Sequence, residues 1–440
     1  MARQGRRGRR VQVPSLLAPA PEPAPEPEDA APEPEEAAAE PEEDGPTVDE
    51  TGPRRRFLFA VPPLAGHVNP TVAVAAELAA RGHEVAWVGH RAGLEPLLPG
   101  GAQIFPAENE TFTRRLEAAR GRWLDLRGPA ALKFLWEEFI VPLGHVMMPG
   151  VQAAIDTFDP DVVVSDQQVL AAPVAARLRG LPWATSATTS AEFTRPLAGM
   201  PLVEEWVREQ IADFQLDHGI EDLLDLRFSD HLVLVFSTAA LVGDVSFFPD
   251  HIAFVGPALG RPPGGDFPWE WLEDGDDRPA VLVSLGTING AAGKRFFRVA
   301  ADAVRDMPVR AVFVTPPGTV ADPPPNVLVR EHVPQLALLE RLSAVVSHGG
   351  HNTVCETLAH GLPLVVAPIR DDQPVVARQV EAAGAGIPVR FARVRADELR
   401  SALENVLTDP SYRAAAERVR DSFTAAGGAA QAAERLEKLA

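Results

Sequence analysis

The sequence predicts an α/β protein of two doubly wound, Rossmann-like domains facing a cleft, preceded by a disordered tail. Three observations lead there. Short apolar runs alternate with helical stretches in two series, one over residues 57–257 and one from residue 280 onward. Between them lies a break, Arg261-Pro262-Pro263-Gly264-Gly265-Asp266, and then an acidic stretch over 270–277. The first 53 residues differ in kind: positions 19–43 are Pro, Glu, Ala and Asp, without an aromatic residue to build a core. The expected organisation is a tail over 1–53, an N-terminal domain over 54–258, a linker over 259–279 and a C-terminal domain over 280–440. The last helix is expected to pack back on the N-terminal domain.

The first series opens on Phe57-Leu58-Phe59-Ala60-Val61, read as a buried strand. A loop over 62–69 and a helix over 70–80 follow, with Asn69 suited to the N-cap and Pro70 to the first turn. The second strand is 84–89, which completes a βαβ unit, the seed of a parallel sheet. A strand over 160–166 ends in polar residues. A helix over 169–179 and strands starting at 181, 231 and 252 finish the series. Residues 108–150 and 190–230 read as irregular helical insertions that either line a pocket or cover the sheet. The second series has strands over 280–285, 309–315, 327–331, 344–347 and 363–367, with helices between them. Terminal helices over 411–425 and 429–439 close the chain. Ligands of such sheets bind outside the carboxyl ends of the strands.

The bulk numbers exclude several classes. The chain has 440 residues, 46% of them hydrophobic, enough for two cores. A net charge of -20 and a pI near 5.0 argue against nucleic acid or an anionic membrane as a partner held by charge. No apolar run reaches the roughly 20 residues of a membrane-spanning helix. The basic start, Met1 to Arg10, precedes a stretch too short and proline-broken for a secretory signal. One cysteine, Cys355, allows no intramolecular disulfide, fits a reducing cytoplasm and reads as a small buried apolar residue. Cysteine and histidine never cluster at zinc-ligand spacing, and no metal is expected.

Two segments carry chemistry. In the second half, residues 345–358 read as strand, glycine turn and helix through His348-Gly349-Gly350-His351-Asn352-Thr353. Gly349 and Gly350 let a backbone approach closely, and the helix start offers free N–H groups and a positive dipole end. That suits a diphosphate, with His348, Asn352 and Thr353 adding side-chain donors. It is neither a dinucleotide fingerprint nor a P-loop. In the first half, Pro62-Pro63-Leu64-Ala65-Gly66-His67-Val68-Asn69-Pro70 puts His67 at the carboxyl end of the first strand. A histidine there suits a general base, since its pKa lies near the working pH. Asp166, ending a strand on the same sheet edge, is the carboxylate to orient it.

With His332-Val333-Pro334-Gln335 upstream and Gly361 to Pro374 downstream, the motif order resembles the UDP-glycosyltransferase superfamily and its GT-B fold. The resemblance spans about residues 56–440 and looks most like bacterial members that decorate macrolides, carotenoids and other natural products. It implies an inverting, metal-independent transfer from a UDP- or dTDP-sugar to a hydroxyl of a hydrophobic small-molecule acceptor, without a cofactor. It implies His67 as base and Asp166 as its partner. Gln335 would meet the nucleoside, Glu356 the ribose, and His348, Gly349, Gly350, Asn352 and Thr353 the phosphates. Asp372 and Gln373 would meet the donor sugar, Gly286 and Thr287 would sit near the phosphates, and His332 with Val333 would lie by the base. Many relatives have tryptophan where His332 stands, which leaves the base open. His351 fills a variable position and is expected to face solvent. His83 reads as a turn residue and His90 as structural. Acceptor candidates are Leu64, Trp136, His145 and Thr189, with Trp183, Thr185 and residues 190–193 following on the ligand side. A nucleotide-sugar 2-epimerase and a non-catalytic auxiliary protein of the same fold are the competing readings. A monomer or homodimer is expected.

Overall fold

The computed structural model describes residues 53–114, 118, 126, 128–194, 196–197, 199–260, 266–273, 277–286 and 293–440. The Pro/Glu-rich tail, the break at 261–265 and Thr287 lie outside the described residues. Seven parallel strands form the first sheet: β1 (Arg56–Ala60), β2 (Glu84–Gly89), β3 (Ile104–Pro106), β4 (Val162–Asp166), β5 (Trp183–Ala187), β6 (Leu232–Val235) and β7 (Ile252–Phe254). Their order is β3-β2-β1-β4-β5-β6-β7. Six more form the second: β8 (Ala280–Ser284), β9 (Arg310–Val314), β10 (Val327–Arg330), β11 (Ala344–Ser347), β12 (Leu364–Val366) and β13 (Gly386–Pro388), in the order β10-β9-β8-β11-β12-β13. Helices cover both faces of each sheet, so the strands are apolar throughout rather than alternating. Phe57, Leu58, Phe59 and Ala60 are all buried, as are Val281, Leu282 and Val283.

The strand order reverses once in each sheet, between β1 and β4 and between β8 and β11. Connections leave in opposite directions there, and a crevice opens at the carboxyl ends. Ala60 pairs with Ser165 across the first reversal, and Ser284 with Ser347 across the second. The residues that follow those four positions are the candidates for chemistry.

Three sequence expectations change. The helix after β1 spans Ala65–Ala80 and begins five residues earlier than the proline implied, so His67 sits in its first turn and not in a loop. Pro70 is interior. It has no N–H for the carbonyl four residues back, which is Gly66. Asn352 of the second domain donates to that Gly66 carbonyl instead, at 2.9 Å. Edge strands β3 and β13 escape the sequence pattern because each has three residues and ends in proline, tolerated only at a sheet edge. Finally, part of the stretch read as linker packs as core. Phe267 and Leu272 are buried against Leu282 and Leu338, and the Arg341 guanidinium lies 4.9 Å above the Trp269 ring.

The insertion after β3 also gains order. Pro129–Phe134, Leu135–Ile140 and Val141–Phe158 run end to end, the middle piece as a π-helical turn. They bury Trp136, Leu143, Met147 and Val151 against the first sheet. The C-terminal helix Gly428–Leu439 crosses to the first domain, where Ala432, Ala433 and Leu436 join Phe57, Phe59 and Leu78 in one cluster. Arg81 and His83 bind its Glu437 at 2.8 and 2.9 Å. No helix among the described residues is long and apolar enough to cross a membrane.

Because Leu436 is fully buried in a core made by the other domain, Leu436→Ala should remove about 2–5 kcal/mol of stability. Urea denaturation reads this directly. A loss under half of the lower figure would show that the helix is only lightly seated.

Candidate active site

His67 and Asp166 meet across the first reversal. The His67 Nδ1–H donates to Asp166 Oδ2 at 2.8 Å. The Asp166 side chain is fully buried and its Oδ1 accepts from the Gln168 backbone N–H at 2.8 Å. Burial alone would lower the His67 pKa. The Asp166 charge and hydrogen bond, with a further contribution from Asp372, outweigh it and raise the pKa above the ordinary 6.5. With Nδ1 committed to the carboxylate, Nε2 is the nitrogen left to accept a proton.

Thr188, which sequence reasoning passed over, joins this pair. Its hydroxyl lies 2.9 Å from His67 Nδ1 and donates to Asp166 Oδ2 at 3.2 Å. The sequence carried no signal for it: Asp166 is in register with Ser186, and Thr188 lies two residues further, just past the end of β5. The two residues after it face the second domain. Thr189 donates to Asp372 Oδ2 at 2.7 Å, and Ser190 donates to Gln379 Oε1 at 2.8 Å.

The second reversal holds the glycine turn. The helix His351–Ala359 starts immediately after Gly350, so its free N–H groups point into the crevice end of β11. The His348 ring is wedged between two glycines. A Cβ on Gly286 would stand 2.7 Å from His348 Cε1, and one on Gly350 would stand 2.6 Å from Nε2. Gly286 also has φ of 70°. Burial, aided by Arg370 and opposed by Asp372, lowers the His348 pKa to about 4, so the ring is neutral at physiological pH. Its Nδ1 is buried without a hydrogen-bond partner among the described residues. A buried polar atom left that way costs about 1–3 kcal/mol, so a ligand atom there would relieve it.

The remaining donor candidates divide into groups. Gln335 donates to Glu356 Oε2 at 2.5 Å, and burial raises the Glu356 pKa against that bond. Thr353 is partly buried in the first turn of the same helix as Glu356. Asp372 is partly exposed and follows Asp371, whose φ of 54° turns the chain. The Gln373 carboxamide oxygen accepts from the Ile369 and Arg370 N–H groups at 2.9 and 3.1 Å and so holds the loop that carries Asp372. Gly349, at φ 85°, has Val366 and Gln373 against it. Val333 packs partly buried beside Leu338, whereas His332 is exposed.

Several expectations fail or shift. His351 does not face solvent. It is 6% exposed, its Nε2 lies 3.2 Å from the Phe236 carbonyl, its Nδ1 lies 3.3 Å from Ser190, and burial lowers its pKa. The domain interface covers it, which no single-domain pattern reveals. The acceptor candidates do not form one wall. Trp136 is core, and exposed His145 packs against Phe214 and His218. Trp183 is fully buried, and the Thr185 hydroxyl accepts from the Ser229 N–H at 2.8 Å. Leu64 caps the His67 helix and Thr189 binds Asp372, so these two stay beside the dyad. His83 is a partner of Glu437, and the His90 Nδ1 caps its own turn by accepting from Gly93. Cys355 is free and buried, and burial pushes its thiol pKa up. Among the described residues, no cluster of three metal-ligating side chains occurs.

Two parallel-sheet domains, with candidate residues at both reversals and a polar seam between them, define a two-domain architecture with its site at the cleft. Comparison with known proteins fixes the class. Residues 312–439 match the family described as erythromycin biosynthesis protein CIII-like, C-terminal domain. The demethyllactenocin mycarosyltransferase of Streptomyces fradiae is 30% identical over 401 residues, covering 87% of this chain and 86% of its own. The 4'-demethylrebeccamycin synthase of Lentzea aerocolonigenes is 29% identical over 87% of this chain and 99% of its own. Among solved structures, the calicheamicin glycosyltransferase CalG4 matches 88% of this chain and 98% of its own, at 25% identity and a TM-score of 0.72. The chain belongs to the bacterial natural-product glycosyltransferases of GT-B fold, and it is an enzyme of that class.

Gly350→Ala should push the His348 ring out of its slot. We expect nucleoside diphosphate binding to weaken at least roughly tenfold by calorimetric titration, because small misplacements in a preorganised site are costly. Melting temperature should stay near wild type. Unchanged binding would remove the His348 slot from the phosphate site.

Proposed function

We propose that this glycosyltransferase moves a sugar, with inversion and without a metal or cofactor, from a UDP- or dTDP-sugar to a hydroxyl of a small natural-product acceptor. The observation that carries the proposal is the 2.8 Å bond between His67 and buried Asp166 at the sheet reversal facing the second domain. His67 Nε2 takes the proton of the acceptor hydroxyl as that oxygen bonds to the anomeric carbon. The bond from the anomeric carbon to the diphosphate breaks on the opposite face, and the diphosphate leaves with the electron pair. Asp166 keeps Nδ1 protonated and stabilises the imidazolium that forms.

The leaving group carries negative charge to the start of helix His351–Ala359. Free N–H groups and the dipole end favour an anion there, which is what lets the reading dispense with a metal. Neutral His348 and the Asn352 and Thr353 side chains add hydrogen bonds. Glu356, paired with Gln335 in a buried setting, accepts from ribose hydroxyls, and Asp372 accepts from hydroxyls of the donor sugar. The Asn352 bond to Gly66 exchanges for a bond to the donor, while Asp372 keeps Thr189 on Oδ2 and offers Oδ1 to the sugar. The relatives' names support a natural-product acceptor: demethyllactenocin mycarosyltransferase and 4'-demethylrebeccamycin synthase both name such molecules.

His67→Ala should lower transfer by roughly 100- to 10,000-fold while UDP or dTDP binding stays within about twofold. Turnover at the wild-type rate would end the base assignment. The base must be neutral to work. Its pKa is raised, so kcat/KM should fall as pH drops, with the acid limb lying above 6.5. Glu356→Ala should raise the donor KM more than it lowers kcat. An unchanged donor KM would exclude Glu356 from the ribose site.

A further inference from the structure

We propose that Thr188 is a positioning residue for the His67–Asp166 pair, and that Thr189 and Ser190 tie it to the domain that carries the donor. The proposal rests on the reading of His67 as base and adds a device that sets it. Thr188 is 6% exposed, so its hydroxyl must find partners inside the protein. It finds both members of the pair, with Oγ1 2.9 Å from His67 Nδ1 and 3.2 Å from Asp166 Oδ2.

Carboxylate chemistry settles the direction of each bond. Asp166 is an acceptor, so the Thr188 O–H points at Oδ2 and its lone pairs face Nδ1. The imidazole must then present Nδ1–H to both oxygens, and the tautomer with a basic Nε2 is the one that fits. Asp166 Oδ1 is held separately by the Gln168 N–H at 2.8 Å. Three donors therefore fix the carboxylate, and Thr188 is the one that also touches the imidazole.

The next two hydroxyls extend the reach of this segment. Thr189 donates to Asp372 on the loop after β12, and Ser190 donates to Gln379 on the helix Gln373–Ala382. The Gln379 Nε2 returns a bond to the Ser190 carbonyl at 3.4 Å. Three consecutive hydroxyls thus bind the base, the loop expected to meet the sugar and a helix of the donor domain. A shift of that domain relative to the first sheet pulls on the segment that orients the base. The base is aligned with the donor as a consequence of how the domains sit.

The test is kinetic, on the full chain with saturating donor. Thr188→Val keeps the shape and removes the hydroxyl. We expect kcat to fall roughly ten- to a hundredfold, with donor KM and melting temperature near wild type, as for loss of a hydrogen bond to a charged group. Thr188→Ser should restore most of the rate. The acid limb of kcat/KM should move to higher pH in Thr188→Val, because Asp166 loses a donor and its charge acts more strongly on His67. Ser190→Ala should lower kcat by a smaller factor and be non-additive with Thr188→Val, since both act through His67. If valine does not fold at this position, Thr188→Ala takes its place. Wild-type kcat in the hydroxyl-free variant, or failure of serine to rescue it, overturns the positioning role. Additive losses overturn the link through Ser190. A normal Thr188→Val with an inactive His67→Ala rejects this inference alone, whereas an active His67→Ala rejects the base reading beneath it.

Discussion

One topological constraint organises the molecule: the reversal of strand order in each parallel sheet. Loops that leave neighbouring strands in opposite directions open a crevice at the carboxyl ends, and nothing else in a doubly wound sheet provides one. In the first sheet the reversal puts the helix bearing His67 beside the end of β4, where Asp166 sits. In the second it puts Gly286 beside His348. The two half-sites are thus products of the same geometry used twice, and their chemistry differs because the residues beyond the strands differ. The first has a charge-coupled imidazole. The second has a helix start and glycines.

The same imidazole side chain is tuned in two directions at three positions in this region. His67 is buried beside a carboxylate, and the carboxylate prevails, so it titrates above 6.5. His348 is enclosed with Arg370 nearby, and its pKa falls to about 4. His351 is buried against a backbone carbonyl and is also lowered. Desolvation is the largest influence in all three. Only at His67 do the opposing contributions, the charge and hydrogen bond of buried Asp166 together with the charge of Asp372, jointly outweigh it. One histidine raised in pKa and one lowered therefore stand at the two sheet reversals that face each other.

Several of the polar bonds that join the domains involve candidate site residues or their neighbours in sequence. Pro70 leaves the Gly66 carbonyl without a helical donor, and Asn352 fills that place from the other domain. Thr189 reaches Asp372, Ser190 reaches Gln379, and Ser422 donates to Thr238 at 2.8 Å. The C-terminal helix adds an apolar clasp by burying Leu436 in the first domain. Asn352 and Asp372, proposed to recognise the donor, thereby also join the two domains.

The sequence by itself determined the two-domain parallel fold, because strands buried on both faces must be written as apolar runs between helices. It also determined the glycine turn and the candidates His67, Asp166, Gln335 and Glu356, since strand ends and helix starts are local features. It misled where a non-local partner decides. Pro70 looked like a helix start because the Gly66 carbonyl it strands is satisfied by Asn352, 286 residues away. His351 looked exposed because its cover is Phe236 and Ser190 of the other domain. Phe267 and Leu272 looked like linker because adjacent acidic residues masked them, yet their apolar side chains found the second core. Thr188 went unseen because its meaning comes from the register of β5 on β4, which places its hydroxyl on the imidazole and the carboxylate together. Tertiary structure alone decided those pairings, because each joins groups distant in sequence through bonds a few ångströms long.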